Sequence, residues 1–311
     1  LTLTDGHIQE IRQLVQGHVL ARVPLSRFTS FKIGGPADLV AEPQNVEQIA
    51  ALVNYLRAGR IPRVFLGAGT NVLFHDAGFR GVVVRMNALR DFDVQTNGSG
   101  HGRVTVAAGV ALPSVIDKAC KLGWTGLEPL WGIPGSFGGA VVTNAGAGGV
   151  CMGEFLDGIA LLMETGEQTS LEKGRIRYGY RALELPQRAV VLGGALKLSR
   201  DDPASIKMKL EQARSLRRKT QPGKVPSAGC VFKNPSPGNP AGAIIDRLGF
   251  RGAMVGDAQV SERHANFIIN RGNARSADVM GLVEKIRERV RQEEHVELEL
   301  EICVIGETAD V

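Results

Sequence analysis

The sequence predicts an α+β protein made of more than one compact unit. Three observations carry the prediction. The first third alternates strand-like and helix-like segments in β-α-β order. Amphipathic stretches of helical period stand among runs that alternate with period two. The chain has 311 residues, enough for two or three units that each bury a core.

Taken in order, Ile8, Ile11 and Val15 share one face and predict a helix over 8–15. In "LSRFTSFKIGGPADLVAEP", two short strand-like pieces flank Gly34-Gly35. "NVEQIAALVNYLRAG" reads as a helix capped by Asn45, with Gln48 completing a capping box. Ile49, Leu52, Val53 and Leu56 form its buried stripe and Gly59 ends it. "RVFLGAG", "GVVVRM" and "RVTVAAG" follow as strands. A helix runs from Leu112 to Leu122 and stops at Gly123. "GIALLMETGEQTSL" reads as a hairpin and "AVVLGGALKLS" as a long strand. "DDPASIKMKLEQARSLRRK" opens on capping residues and reads as a helix. A last amphipathic helix has Ser276 as its cap and Val279, Val283, Ile286 and Val290 on one face. The closing "VELELEICVIGE" alternates as a strand.

Composition narrows the function classes. The chain is 43% hydrophobic and 22% charged, as in ordinary globular proteins. No apolar run approaches the ~18 residues that span a bilayer, so no membrane partner is expected. The start, "LTLTDGHIQE", carries Asp5 and Glu10 and lacks an apolar core, so it is not read as a secretory signal and a cytoplasmic location is expected. The net charge of +5 is dispersed except for "RSLRRK" (214–219), which reads as a solvated helix face. With aromatics at only 5%, no nucleic-acid partner is expected; one basic cluster suits a small phosphorylated ligand better. Cys120, Cys151, Cys230 and Cys303 form no CxxC pair, and the six histidines stand at no metal-ligand spacing from them, so no metal is expected. Cys120 and Cys303 read as packing residues. Cys230 stays open: filler, half a disulfide, a metal ligand or a proton donor.

Two glycine-rich segments carry the ligand signal. "LGAGTNVLFHDAGFRG" (66–81) places Gly67, Ala68, Gly69, Thr70 and Asn71 directly after a strand. Consecutive N–H groups there can form a nest for a phosphate, or make an ordinary strand-end turn. "GIPGSFGGAVVTNAGAGG" (132–149) lets something bulky approach at its glycines and offers Ser136 and Asn144 for hydrogen bonds, or packs as a loop needing glycine only for its dihedrals. No G-x-G-x-x-G follows a strand and no G-x-x-x-x-G-K-[ST] occurs, which argues against a Rossmann dinucleotide binder and a Walker-type NTPase. Two such segments, each attached to strands, suit one extended ligand with a diphosphate and a flat ring system, such as a flavin dinucleotide.

Together, "LSRFTSFKIGGPAD", "LGAGTNVLFHDAGFRGVVV", "GLEPLWGIPGSFGGAVVTNAGAGG", "YGYR", "PSAGCVFKNP", "GDAQVSERHANFIIN" and "LELEICVIGE" resemble the UDP-N-acetylenolpyruvoylglucosamine reductase family, in the family's order from Leu25 to Gly306. The resemblance implies a two-domain FAD-binding fold of vanillyl-alcohol-oxidase type plus a C-terminal α/β substrate-binding domain. The expected division is 1–85 and 86–205 for the FAD-binding parts and 206–311 for the substrate domain, with the last strand returning to the active site. It implies non-covalent FAD as cofactor, NADPH as hydride donor and a UDP-sugar as substrate. The product would be UDP-N-acetylmuramate, a precursor in peptidoglycan synthesis. A flavin oxidase of the same fold and a nucleotide-binding protein without turnover are the alternatives.

The resemblance also implies roles. Gly67 to Asn71, Ile133, Pro134, Ser136, Gly139, Asn144, Ala145 and Gly146 would bind the cofactor. Arg181 of the Tyr-Arg pair would hold the substrate carboxylate as it gains charge, since a guanidinium matches a carboxylate and stays ionised. Glu301 would polarise the substrate or manage protons opposite Arg181, with Glu299 its rival by register. In the family's G-[S/C]-x-F-K-N-P segment most members carry serine; this chain departs with Cys230, whose thiol is more acidic than a hydroxyl and would give a proton to the substrate carbanion. Tyr180, Lys219, Asn234 and Gln259 would hold the substrate. The short stretch after Arg181 resembles the subgroup without an inserted substrate-tyrosine loop. Trp131 is larger than the expected residue and would alter contacts near the flavin.

Overall fold

The computed structural model describes residues 3–97 and 101–306; Glu307, the end of the closing motif, lies outside the described residues. Helix α1 (Asp5–Val15) leads into β1 (His18–Pro24), an exposed edge strand that shows no apolar alternation and was invisible to pattern reading. The first strand-like piece of "LSRFTSFKIGG" is a 3₁₀ turn over Leu25–Phe28. The N–H groups of Leu25 and Ser26 bond to the carbonyls of Gly35 and Gly34, closing this segment on itself instead of extending it. The second piece is β2 (Pro36–Glu42).

Helix α2 (Val46–Ala58) buries the expected stripe of Ile49, Leu52, Val53 and Leu56. Asn45 accepts from Gln48 N–H at 2.9 Å, but Gln48 reaches back to Gln44 N–H at 2.8 Å, one residue before the position a capping box uses. Strands β3 (Arg63–Leu66), β4 (Val72–Phe74) and β5 (Phe79–Arg85) follow. The first sheet runs β1-β2-β5-β3, with β5 parallel to both neighbours. Its central strands are buried on both faces: Leu39, Ala41, Val82 and Val84 meet α1 and α2, while Val40 and Val83 meet Leu25, Leu66 and Phe79.

The second sheet is antiparallel, in the order β9 (Gln168–Glu172), β8 (Leu156–Leu162), β10 (Val190–Arg200), β7 (His101–Ala107), β6 (Phe92–Asn97). The expected hairpin is β8–β9. Helices α3 (Leu112–Lys121) and α4 (Phe137–Val142) cover this sheet around Phe137, Val106 and Leu196. Helix α5 (Pro203–Thr220) is capped by Asp202.

The third sheet runs β11 (Ser227–Cys230), β14 (Phe267–Asn270), β13 (Ala258–Val260), β12 (Met254–Val255), packed by α6 (Ala241–Arg247) and α7 (Ser276–Glu294). Val279, Val283, Ile286 and Val290 are buried as expected. Their core also takes in Phe31, Ile33 and Leu73 from the N-terminal part. Ser276 is not the cap of α7. It occupies the first helical position, and its N–H and that of Ala277 donate to the Asp76 carboxylate at 2.8 and 3.2 Å. Ser276 Oγ in turn accepts from Asp76 N–H at 2.9 Å. The cap lies two hundred residues away, beyond the reach of a local rule.

The closing segment is a strand only over β15 (Cys303–Ile305), which pairs in parallel with β4. From 296 to 302 the side chains still alternate, with Leu298 and Ile302 buried, but the backbone is held at single points: Lys233 N–H to Glu299 O and Glu301 N–H to Val231 O, each 2.8 Å. Among the described residues, no helix is long and apolar enough to cross a membrane.

Burial raises the pKa of Asp76, and the hydrogen bonds from Ser276 and Ala277 outweigh it, so the carboxyl sits below its ordinary value. A lowered folded pKa stabilises above the unfolded pKa and is lost as pH falls through the folded value. Asp76→Ala is expected to cost about 1 kcal/mol at neutral pH, discounted for the exposure of this carboxylate. Thermal melts should show that difference fading below about pH 4; a difference that persisted unchanged in acid would contradict the assignment.

Candidate active site

Strand β3 ends at Leu66 and the chain turns through Gly67-Ala68-Gly69-Thr70-Asn71 before β4. Gly69 adopts φ +67°, and a Cβ there would stand 2.1 Å from Phe28 O; a Cβ on Gly67 would stand 2.2 Å from Ser136 Oγ. No acceptor is found for the five backbone N–H groups of 67–71 among the described residues. They line a cavity of about 460 Å³. Unpartnered consecutive N–H groups facing open space form an anion-binding nest.

The opposite wall comes from the second glycine-rich segment. Thr70 Oγ1 donates to Pro134 O at 3.1 Å and so ties the two segments together. Ser136 caps α4 through Gly139 N–H. Ile133, Pro134, Ser136, Gly139, Ala145 and Gly146 all line the cavity.

Asn144, expected to touch the cofactor, does not line it. It is buried with φ +41°, donates from Nδ2 to Gly179 O at 2.7 Å, and accepts from Gly153 N–H at 2.8 Å. Gly179 belongs to a tight hairpin in which Tyr178–Gly179 pairs with Ala182–Leu183, leaving Tyr180 and Arg181 at the tip. Asn144 is therefore a strut that fixes this hairpin to the cavity wall.

Arg181 takes φ +54°, a left-handed conformation that costs a non-glycine residue about 1 kcal/mol. The surroundings hold it there. Nη1 donates to Gly146 O at 2.9 Å, and Nε lies 2.8 Å from Glu301 Oε1. The Nε–H is poorly aligned with that oxygen, so the contact is an ion pair more than a directed hydrogen bond. Glu301 is delivered by the closing segment. Asn71 Nδ2 donates to Glu301 O at 3.1 Å, and Cys303 N–H donates to Asn71 O at 2.9 Å. Asn71 thus lines the cavity and also clamps the segment that carries Glu301. Burial raises the Glu301 pKa despite the nearby Arg181 charge. Glu299, its rival, is 76% exposed and pairs with Lys233 at 3.1 Å.

Cys230 ends β11 and lines the same cavity, partly open toward it. Burial and then the Glu301 charge push its thiol up to about 12, against the opposing pull of Arg181 and Arg217. The thiol therefore keeps its proton across the physiological range. Arg181, Cys230 and Glu301, from three separated segments, meet on one wall.

The remaining expected residues divide. Tyr180 is 56% exposed, and its hydroxyl accepts from Asn234 N–H at 3.1 Å. The Asn234 side chain accepts from Ala241 N–H at the start of α6. Lys219 is exposed and lines neither this cavity nor the second one; Gln259 bonds to Gly252 O and also lines neither. Trp131 faces the second cavity, of about 470 Å³, instead of the first. Its Nε1 donates to Asp117 at 3.2 Å, and Arg214 lies over its ring at 4.8 Å.

The cavity also takes in residues that the sequence did not point to, Cys303 and Arg217 among them. Cys303, read as packing, is exposed on the cavity wall. Arg217 was merged into a solvated basic run. The signal was available: Ile206, Leu210 and Ala213 form the inward stripe of α5, and Arg217 continues its spacing.

Comparison with known proteins follows this geometry. Residues 37–172 match an FAD binding domain, and residues 221–305 match the UDP-N-acetylenolpyruvoylglucosamine reductase, C-terminal domain. The chain is 40% identical to the UDP-N-acetylenolpyruvoylglucosamine reductase of Syntrophus aciditrophicus, covering 98% of each chain. This chain belongs to the UDP-N-acetylenolpyruvoylglucosamine reductase family.

The reductase of that name from Moorella thermoacetica is also 40% identical, over 99% of each chain. The crystal structure of the Thermus caldophilus reductase superposes with a TM-score of 0.78 at 34% identity, covering 93% of this chain and 99% of that one. As a member of this reductase family the protein is an FAD-containing oxidoreductase, and the expected fold class of an FAD-binding part with a C-terminal domain is borne out. The cavity fits FAD: consecutive N–H groups without a protein acceptor suit the diphosphate, and the wall is shaped by glycine turns whose close packing a Cβ at Gly67 or Gly69 would break.

A thiol with a pKa of about 12 carries about a thousandfold less thiolate than an ordinary cysteine at the same pH. Alkylation of Cys230 in the holoenzyme, followed by peptide mass spectrometry, should accelerate about tenfold per pH unit through pH 10. A plateau near pH 8 would mean that the thiol ionises early.

Proposed function

We infer that this protein is an NADPH-dependent reductase that converts the enolpyruvyl group of UDP-N-acetylglucosamine enolpyruvate to the lactyl ether of UDP-N-acetylmuramate. The observation that carries the reading is the meeting of Arg181, Cys230 and Glu301 on one wall of a cavity shaped for FAD. FAD, held at the glycine-rich turn of 67–71 and along Ile133, Pro134, Ser136 and Gly139, would supply the hydride chemistry between NADPH and the substrate carbon remote from the carboxylate.

The chain's own residues handle the charge and the proton. As hydride reaches the terminal carbon, negative charge develops on the neighbouring carbon and spreads into the carboxylate. Arg181, fixed by Gly146 O, Glu301 and the hairpin that Asn144 anchors, presents a guanidinium that strengthens its hold as this charge grows. Cys230 then gives its S–H proton to that carbon, and the thiolate recovers a proton from solvent. The raised pKa supports this role, since the donor must remain protonated until the carbanion forms. Glu301 orients Arg181 and, beside Cys230, disfavours premature loss of the thiol proton. The Tyr180–Asn234 contact draws the hairpin against the C-terminal part, at the place where a sugar nucleotide would lie between them.

Anaerobic absorption spectra separate the steps. NADPH should bleach the flavin band, and the enolpyruvyl sugar nucleotide should restore it without oxygen. Cys230→Ser should retain turnover. Cys230→Ala should bleach normally, while return of colour with substrate slows by about a hundredfold or more. Wild-type rates of recolouring in the alanine variant would remove Cys230 from the mechanism. Recolouring by oxygen alone would point to an oxidase, and a protein unable to take up FAD would remove the reading altogether.

A further inference from the structure

Strands β11 and β14 do not pair residue for residue. Ser227 lies opposite Ile269 and Cys230 opposite Phe267, so three steps along β11 span two along β14. The extra residue makes a β-bulge, which re-aims the side chains beside it. Gly229 takes φ +82° there, and a Cβ on it would meet nothing within 4 Å, so glycine serves the dihedral and not the space. Cys230 follows directly and lines the first cavity.

Beyond the bulge one side chain takes over from the ladder. Buried Asn266 accepts from Phe232 N–H through Oδ1 at 2.9 Å and donates from Nδ2 to Phe232 O at 2.8 Å. Its own backbone carbonyl accepts from Val231 N–H at 2.8 Å. The two unlike partners on Phe232 fix which way the amide points. The other side of this stretch belongs to the closing segment, where Glu301 N–H donates to Val231 O and Phe232 lies opposite Leu300. Val231 and Phe232 are thus gripped from both sides, between Asn266 and the segment that carries Glu301. Asn266 itself lines neither cavity.

We propose that Asn266 is a positioning residue for the proton step: by holding the backbone of Phe232 against the closing segment, it sets the Cys230 thiol and the Glu301 carboxylate at one separation on the cavity wall. The proposal rests on the reading of Cys230 as proton donor and adds what aims it. The bulge at Gly229 gives the thiol its direction, and Asn266 keeps the strand beyond the bulge from sliding along β14. A misplacement of about 1 Å can cost about a hundredfold in rate, so a residue outside the cavity can govern a step within it.

The two half-reactions of the holoenzyme test this in Asn266→Leu, which removes both side-chain hydrogen bonds, and in Asn266→Asp. Bleaching by NADPH is expected at the wild-type rate in both, which also shows that FAD is bound and the chain folded. Recolouring by saturating enolpyruvyl sugar nucleotide, without oxygen, should slow about 10- to 100-fold in Asn266→Leu, with affinity for UDP-N-acetylglucosamine unchanged. Asn266→Asp should approach wild type as the pH is lowered, since a protonated carboxyl again offers Phe232 one acceptor and one donor. In a Cys230→Ala background, Asn266→Leu should slow recolouring no further, because effects that act through one group do not add. Full additional slowing in that double variant would overturn the proposal, by showing that Asn266 acts without the thiol. Recolouring at the wild-type rate in Asn266→Leu would overturn it as well, and so would loss of FAD or of NADPH bleaching in both variants, which would make Asn266 a residue of the fold alone. Wild type that NADPH bleaches and the sugar nucleotide fails to recolour would instead overturn the reductase reading beneath it.

Discussion

The short parallel pairing of Cys303–Ile305 with Val72–Phe74 is the constraint on which the active site depends. Three residue pairs bring the end of the chain back to the first glycine-rich turn, some two hundred and thirty residues away in sequence. The closing segment arrives with its register set at both ends: by Asn71, which bonds to Glu301 O and Cys303 N–H, and by His75 N–H, which donates to Ile305 O. A slip of one residue would turn Glu301 out of the cavity and bring a leucine or isoleucine in. The shared core of Phe31, Ile33 and Leu73 with Phe232 and Val283, together with the Asp76–Ser276 contacts, resists such a slip with apolar area that a three-residue ladder cannot supply.

Around that return, the site keeps charges that a stability-driven design would remove. Arg181 is held in a left-handed conformation, Arg217 has no acceptor, and Glu301 has its pKa raised by burial. Each of these carries a cost in the folded protein, offset by the packing of the sheets on either side. Their common effect is a half-buried cavity wall with fixed charged donors, where a charge interacts more strongly than in bulk solvent. The same burial sets Cys230. A thiol pushed to about 12 stays protonated at neutral pH although two arginines lie near it.

The second glycine-rich segment serves two walls at once. Its backbone and small residues shape the cavity, while Asn144 and Gly146 O reach behind it to fix the Tyr180-Arg181 hairpin. Movement of this segment would therefore displace the arginine along with the cofactor contacts. The coupling follows from two directed hydrogen bonds, and no larger conformational device is required.

By itself the sequence determined what depends on neighbours in the chain. The period of Ile49, Leu52, Val53 and Leu56 is a helix face wherever it packs, and the β8–β9 hairpin follows from alternation about a turn. The two glycine-rich turns mark close backbone approach for a steric reason that holds before folding. The alternation of Leu298, Leu300 and Ile302 likewise set Glu299 and Glu301 on one side. Tertiary structure decided what depends on distant partners. It chose Glu301 over Glu299, because only Glu301 lies beside the Asn71 clamp. It moved the cap of α7 from Ser276 to Asp76, made Asn144 a strut, and left Lys219 in solvent while turning Arg217 inward. Residue type and spacing are local, whereas an unpaired charge, a filled hydrogen bond or a burial-shifted pKa exists only once segments far apart in the chain share one space.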